Sequence, residues 1–92
     1  MSNDLFYSLC KAIVVDYYNK RADATDNKHI TEDDVFIVWS CKTLQNNKAL
    51  VSTTDCYGMY YDLTYNGDND EVYVDAYKKW ENIALKPADY SY

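Results

Sequence analysis

Apolar residues near the N-terminus recur at helical spacing. Leu5, Leu9, Ala12, Ile13 and Tyr17 follow an i, i+4, i+7, i+8 pattern, and Phe6 and Cys10 widen the stripe. The spacing predicts a helix over residues 3–21. Ser2 or Asn3 can cap its start, and Asp4 suits the positive end of the helix dipole. Lys20 and Arg21 suit the other end, and Asp16 stands four residues before Lys20, at ion-pair spacing.

The period then changes. "ADATDNKHITEDD", residues 22–34, carries five carboxylates against one lysine and reads as a connecting loop. Next comes "VFIVW", a β-branched and aromatic run that favours a strand over 35–44. A helix is the competing reading there, because Thr31 followed by Glu32, Asp33 and Asp34 is also a helix-start pattern. Asn46-Asn47 is a turn signal, "KALVSTT" reads as the returning strand, and Asp55 to Gly58 form a further connection. "MYYDLTY", "NG" and "EVYVDAY" then give the clearest hairpin signal, because Asn-Gly supplies the positive φ values of a type I′ turn. With Asn66-Gly67 as the two central residues, Tyr65 faces Asp68, Tyr61 faces Val72 and Met59 faces Val74. A longer loop through Asp70 shifts that register, but a shift by two keeps the same faces. Residues 75–85 admit two readings: Ala76, Trp80, Ile83 and Ala84 fit a helical stripe, and Val72, Val74, Ala76 and Trp80 fit a continuing strand. Pro87 ends regular structure. The expected fold is α+β: an N-terminal helix packed on a four-stranded antiparallel sheet, with a short C-terminal helix as an option. Residues 1–86 make a single domain and 87–92 a loose tail.

Strand alternation assigns the hairpin's faces. Met59, Tyr61, Leu63 and Tyr65 share one face with Val72, Val74 and Ala76, which is the core face. The other face carries Tyr60, Asp62 and Thr64 from one strand and Glu71, Tyr73, Asp75 and Tyr77 from the other. The stretch 57–77 thus holds six tyrosines and five carboxylates with no lysine or arginine. In the Asn-Gly register Asp62 lies opposite Glu71, a like-charge pair that costs a few tenths to about 1 kcal/mol. Tyrosines and acids also suit an exposed sheet that must stay soluble, so the pattern does not by itself require a partner. As a site, Tyr60, Asp62, Glu71, Tyr73, Asp75 and Tyr77 offer rigid contact area and anionic groups for a partner's lysines and arginines. Alternate strand residues are about 6.5–7 Å apart, close to the phosphate repeat of a nucleic-acid strand, so such a face can occupy a basic groove as a decoy.

Composition narrows the classes. With 92 residues the chain is one domain, and it buries only about 60–65% of its unfolded surface. Hydrophobic content of 48%, with 16% aromatic, places it outside the disordered class. Net charge is −6, which argues against direct contact with nucleic acid or an anionic membrane and fits either an acidic protein kept soluble by its charge or one whose partner is basic. Cys10, Cys41 and Cys56 are odd in number and widely spaced, so a reduced compartment is expected, with Cys10 and Cys41 buried as small hydrophobes. The start, MSNDLF, lacks the basic region of a secretory signal, and no apolar run reaches the roughly 18 residues of a membrane span.

Enzymatic motifs are missing: no phosphate loop, no Gly-x-Ser-x-Gly and no HExxH. His29, the single histidine, lies in the polar loop and reads as a solvated residue. Asp23, Asp26, Glu32, Asp33 and Asp34 are oxygen donors without the spacing or glycine of a Ca²⁺ loop, and "GDNDE" at 67–71 is no stronger. No cofactor or metal is therefore expected, and no enzymatic activity.

At "VFIVWSCKTLQNNKALVST", "GMYYDLTYNGD" and "VYVDAYKKWEN" the chain resembles a family of small proteins of unknown function from phages and prophages of Gram-positive bacteria. The resemblance covers roughly residues 33 to 83, with a looser match at the N-terminal helix, and brings no catalytic or binding residues with it. It implies an accessory protein made in the cytoplasm of an infected bacterial host. Small acidic phage proteins often inhibit host factors such as CRISPR nucleases, restriction systems, polymerases and repressors, so the expected partner is a host nucleic-acid-handling protein with a basic groove. The alternative is a phage structural or replication accessory acting as a homo-oligomer through the tyrosine face.

Overall fold

A computed structural model describes residues 1–21, 29–54 and 58–91. The chain is α+β, with one N-terminal helix against a four-stranded antiparallel open sheet. Helix α1 (Asn3–Arg21) is followed by β1 (Val35–Thr43), β2 (Asn46–Thr53), β3 (Met59–Asn66) and β4 (Glu71–Lys78), which lie in the sheet in chain order.

Ser2 caps α1: its hydroxyl accepts from the Leu5 N–H at 3.2 Å. Asp16 and Lys20 pair at 2.9 Å on the exposed side. The buried stripe is Phe6, Cys10 and Val14, with Ile13 and Tyr17 partly covered, while Leu5 and Ala12 are exposed. The stripe expected from the sequence is therefore rotated by about one position. Tyr17 closes it by meeting the Tyr61 ring edge-on at 5.6 Å, and the Arg21 guanidinium covers Tyr17 from the other side at 3.6 Å. Asn19 holds the returning chain, donating to the Ile30 carbonyl at 3.0 Å and accepting from its N–H at 2.9 Å.

Thr31 and its acids form a single 3-10 turn (Glu32–Asp34), and the chain then enters β1. The Asp34 carboxylate accepts from the Thr31 N–H at 2.9 Å. The capping pattern is real, but the β-branched run beyond it wins for the strand.

Two turns differ from expectation. Asn46 and Asn47 are not the β1–β2 turn; both belong to β2, and Leu44-Gln45 turn the chain instead, with Leu44 at φ 55°. The β3–β4 loop spans the four residues 67–70, with Asp70, not Gly67, at positive φ. The Asn66 side chain accepts from the N–H groups of Asp68 (3.0 Å) and Asn69 (3.3 Å), nucleating a local turn that displaces the two-residue type I′ geometry. Tyr61 consequently faces Ala76, Met59 faces Lys78, and Tyr65 faces Val72. The register moves by four residues, an even number, so every side chain keeps its expected face.

Gly67 is required for a different reason. It lies against the β1–β2 turn, where an added Cβ would sit 2.4 Å from the Gln45 carbonyl oxygen. Its N–H donates to Asn46 Oδ1 at 3.1 Å, and Gln45 Nε2 donates to Asp68 Oδ2 at 2.9 Å. The two hairpin turns are thus locked together at one end of the sheet.

The core joins α1 to Val35, Ala49, Val51, Tyr61 and Leu63. Tyr7 and Ser40 hydroxyls meet at 2.5 Å and fix the helix to β1. Helix contacts concentrate on β1 and β2, so coverage thins toward β4: Val72 and Val74 are half-buried, and Ala76, expected in the core, is exposed. Cys10 is fully buried, and loss of hydration raises its thiol pKa to about 12. Beyond Lys78 the helical option does not form: the chain leaves the sheet as an arm with Trp80 93% exposed, and Pro87 opens a single 3-10 turn (Pro87–Asp89).

Candidate partner-binding face

The six residues singled out from the sequence share one face of the sheet, opposite α1. The strand pairings order them into rows. Phe36, Ser52, Tyr60 and Tyr77 form one row across the four strands. Trp39, Leu50, Asp62 and Asp75 form the next, and Cys41, Lys48, Thr64 and Tyr73 the third. Glu71 follows at the end of β4, opposite Asn66. Tyr73, Asp75, Tyr77 and Glu71 are exposed on the edge strand; Tyr60 and Asp62, on an inner strand, are half-buried.

The like-charge conflict exists with a different partner. Asp62 lies opposite Asp75 rather than Glu71, because the four-residue loop moves the register. The base absent from 57–77 comes from β2: Lys48 Nζ lies 2.9 Å from Asp62 Oδ1 and donates to Thr64 Oγ1 at 3.0 Å. Asp62 is therefore a paired acid, while Asp75 and Glu71 lie at the rim. Tyr73 donates to Glu71 Oε2 at 2.7 Å. That bond favours the neutral phenol, and with the nearby carboxylate charge it raises the Tyr73 pKa above its ordinary value. On the helix side Tyr65 makes a similar bond to Asp70 at 3.0 Å, with the same upward direction.

Sequence reasoning missed the apolar half of this face. An uninterrupted β1 would send Trp39 and Cys41 to the core with Ile37. A β-bulge at Val38 resets the alternation: Ile37 pairs with Val51, and Trp39 pairs with Leu50. Trp39 (47% exposed) thus joins Phe36 (44% exposed) beside Leu50, and Cys41, expected to be buried, is exposed. The available signal was the continuity of "VFIVW": apolar residues at successive positions supply both faces of a strand. The outer face therefore grades from an aromatic ridge on β1 to tyrosines and carboxylates on β4.

A hollow of about 170 Å³ on this side is lined by Cys41, Thr43, Asn46, Asn47, Lys48 and Thr64, below the range that holds most small ligands. Among the described residues no group of three or more histidines, cysteines or acids is placed to hold a metal ion. Asp23, Asp26 and Cys56 lie outside the described residues. His29 is exposed. No described helix is long and apolar enough to cross a membrane.

Residues 7–87 match the family model described as "Family of unknown function (DUF6275)", and the chain belongs to that family. No curated protein matches it, and no solved structure does.

Proposed function

We propose that this member of the DUF6275 family is a non-enzymatic binding protein whose outer sheet face docks on a basic, partly apolar surface of another protein. The observation that carries this reading is one-sided coverage. One helix packs on the sheet, and the opposite face displays Phe36, Trp39, Tyr73 and Tyr77 with Asp75 and Glu71 at its acidic side. Exposed aromatics beside carboxylates supply both components of a protein contact: apolar anchors, and charge that steers a cationic partner. The resemblance to phage and prophage proteins supplies the setting, an accessory protein in the cytoplasm of an infected bacterium. The basic partner surface then belongs to a host nucleic-acid-handling protein such as a CRISPR effector or restriction enzyme, which the acidic side inhibits by occupying its groove.

The structure selects cleaner variants for the test. Asp62 holds Lys48, so reversing it disturbs the sheet as well as the face. Asp75 and Glu71 are exposed on the edge strand and can be changed to lysine together. Tagged wild-type chain should retain its partner from infected-cell extract at low salt and release it at high salt. Asp75→Lys/Glu71→Lys should fail at both, and Trp39→Ala should weaken retention at low salt. Equal retention by all three folded proteins would refute the reading.

A further inference from the structure

The sheet has two free edges, and they differ. β1 is broken by the bulge at Val38, a feature that blunts an edge against further pairing. β4 runs eight residues, Glu71–Lys78, paired without interruption to β3, and carries no proline. Among the described residues no element pairs with its other side. Its helix-side residues are also the least covered of the sheet: Val72 and Val74 are half-buried and Ala76 is exposed, because α1 sits over β1 and β2.

We propose that a second copy of this chain pairs antiparallel with β4, across a two-fold axis at Val74, giving a continuous eight-stranded sheet. The charge order along β4 selects that register. With Val74 opposite itself, Val72 meets Ala76, Tyr73 meets Asp75, Glu71 meets Tyr77, and Lys78 meets Asp70. No acid faces an acid, and Lys78 falls beside Asp70, the last residue of the partner copy's loop, whose carboxylate also accepts from the Tyr65 hydroxyl. Moving the axis to Tyr73 sets Glu71 against Asp75 twice, and moving it to Asp75 sets that residue against itself; like charges directly opposite are destabilising. Moving it to Val72 or to Ala76 sets no acid against an acid within the strand but leaves one end of the strand without a partner strand, so paired length decides against both. The favoured register also joins the two helix-side apolar rows, Val72, Val74 and Ala76, across the axis. Lys79, the first residue of the arm, falls beside the partner copy's loop 67–70, which carries Asp68 and Asp70. An edge dimer leaves both outer faces open on the same side of the joined sheet, so it does not require the docking reading above, although Glu71, Tyr73, Asp75 and Tyr77 belong to both surfaces and Asp75→Lys/Glu71→Lys would touch both.

Light scattering across a concentration series should show a dimer mass. In a Cys41→Ser/Cys56→Ser background, Val74→Cys should form an intermolecular disulfide on mild oxidation, because the two copies meet there. Tyr77→Cys in the same background should not, since residue 77 faces residue 71 of the other copy. Lys78→Glu, at an exposed position, should weaken the dimer roughly tenfold by setting two acids opposite each other twice, and adding Asp70→Lys should restore it. A monomer at every concentration overturns the proposal and leaves β4 to a strand of a different protein. A dimer that cross-links through Trp39→Cys rather than Val74→Cys overturns it too, in favour of contact between outer faces.

Discussion

The two faces of this sheet are made by the same four strands and differ in what covers them. On the helix side, Phe6, Cys10 and Val14 press onto Ala49, Val51, Tyr61 and Leu63, all nearly inaccessible to solvent. On the outer side, Phe36, Trp39 and Tyr77, aromatics like Phe6 and Tyr61, keep about half their surface in water. The helix-side rows are largely apolar, whereas the outer rows mix aromatics with Lys48, Asp62, Glu71 and Asp75; Phe36 and Trp39 differ from the core aromatics in coverage alone. The contrast teaches that a chain of this length has one helix with which to cover one face. What it leaves open on the other is an aromatic and acidic surface.

The sharpest way to break that comparison is to truncate one aromatic from each face. Phe6→Ala should cost about 3–5 kcal/mol, and Trp39→Ala less than about 1 kcal/mol, read as shifts in the urea midpoint. Similar losses from both would show that the outer face is as structural as the core. A smaller effect is expected where the hairpin turns interlock. Gly67→Ala drives a Cβ into the Gln45 carbonyl and should cost about 1–3 kcal/mol by the same measurement. An unchanged midpoint would mean the turns separate without penalty.

On the outer face itself, Lys48→Ala leaves Asp62 opposite Asp75 with its cation removed. The loss should be about 0.5–1 kcal/mol at low salt and shrink as salt is added. A loss that does not respond to salt would mean Lys48 acts through packing alone. The smallest effect concerns Tyr73. Its hydrogen bond to Glu71 raises the phenol's pKa in the folded chain above the ordinary 10.0. The unfolded chain therefore ionises first as pH rises, so this contribution is present below pH 10 and declines above it. Tyr73→Phe should flatten the alkaline limb of the stability curve, because the small contribution it removes is the one present at neutral pH and already lost at high pH.

These contrasts also show what the sequence can reveal. The helix was legible to its boundaries, because its period, its Ser2 cap and its Asp16–Lys20 pair all agree. So was the co-facial set Tyr60, Asp62, Glu71, Tyr73, Asp75 and Tyr77, because alternation survives any even register shift. The register itself was not legible: Asn66 uses its side chain to build a longer loop, a choice that depends on Gly67 meeting Gln45 from another hairpin. Trp39 was missed for a related reason. The bulge at Val38 is set by how β1 fits β2, and no spacing within β1 announces it. The exposed arm was ambiguous because Trp80, Ile83 and Ala84 fit a helix that forms only with something to pack against.

The account rests on the outer face being a docking surface and not a solubilised leftover. The most direct measurement is retention of partner from infected-cell extract by three folded proteins side by side: wild type, Trp39→Ala, and Asp75→Lys/Glu71→Lys. Circular dichroism and urea midpoints should show all three folded alike. The account predicts salt-sensitive retention by wild type, weakened retention by Trp39→Ala, and none by the charge-reversed chain. Undiminished retention by the charge-reversed chain at low salt would contradict it.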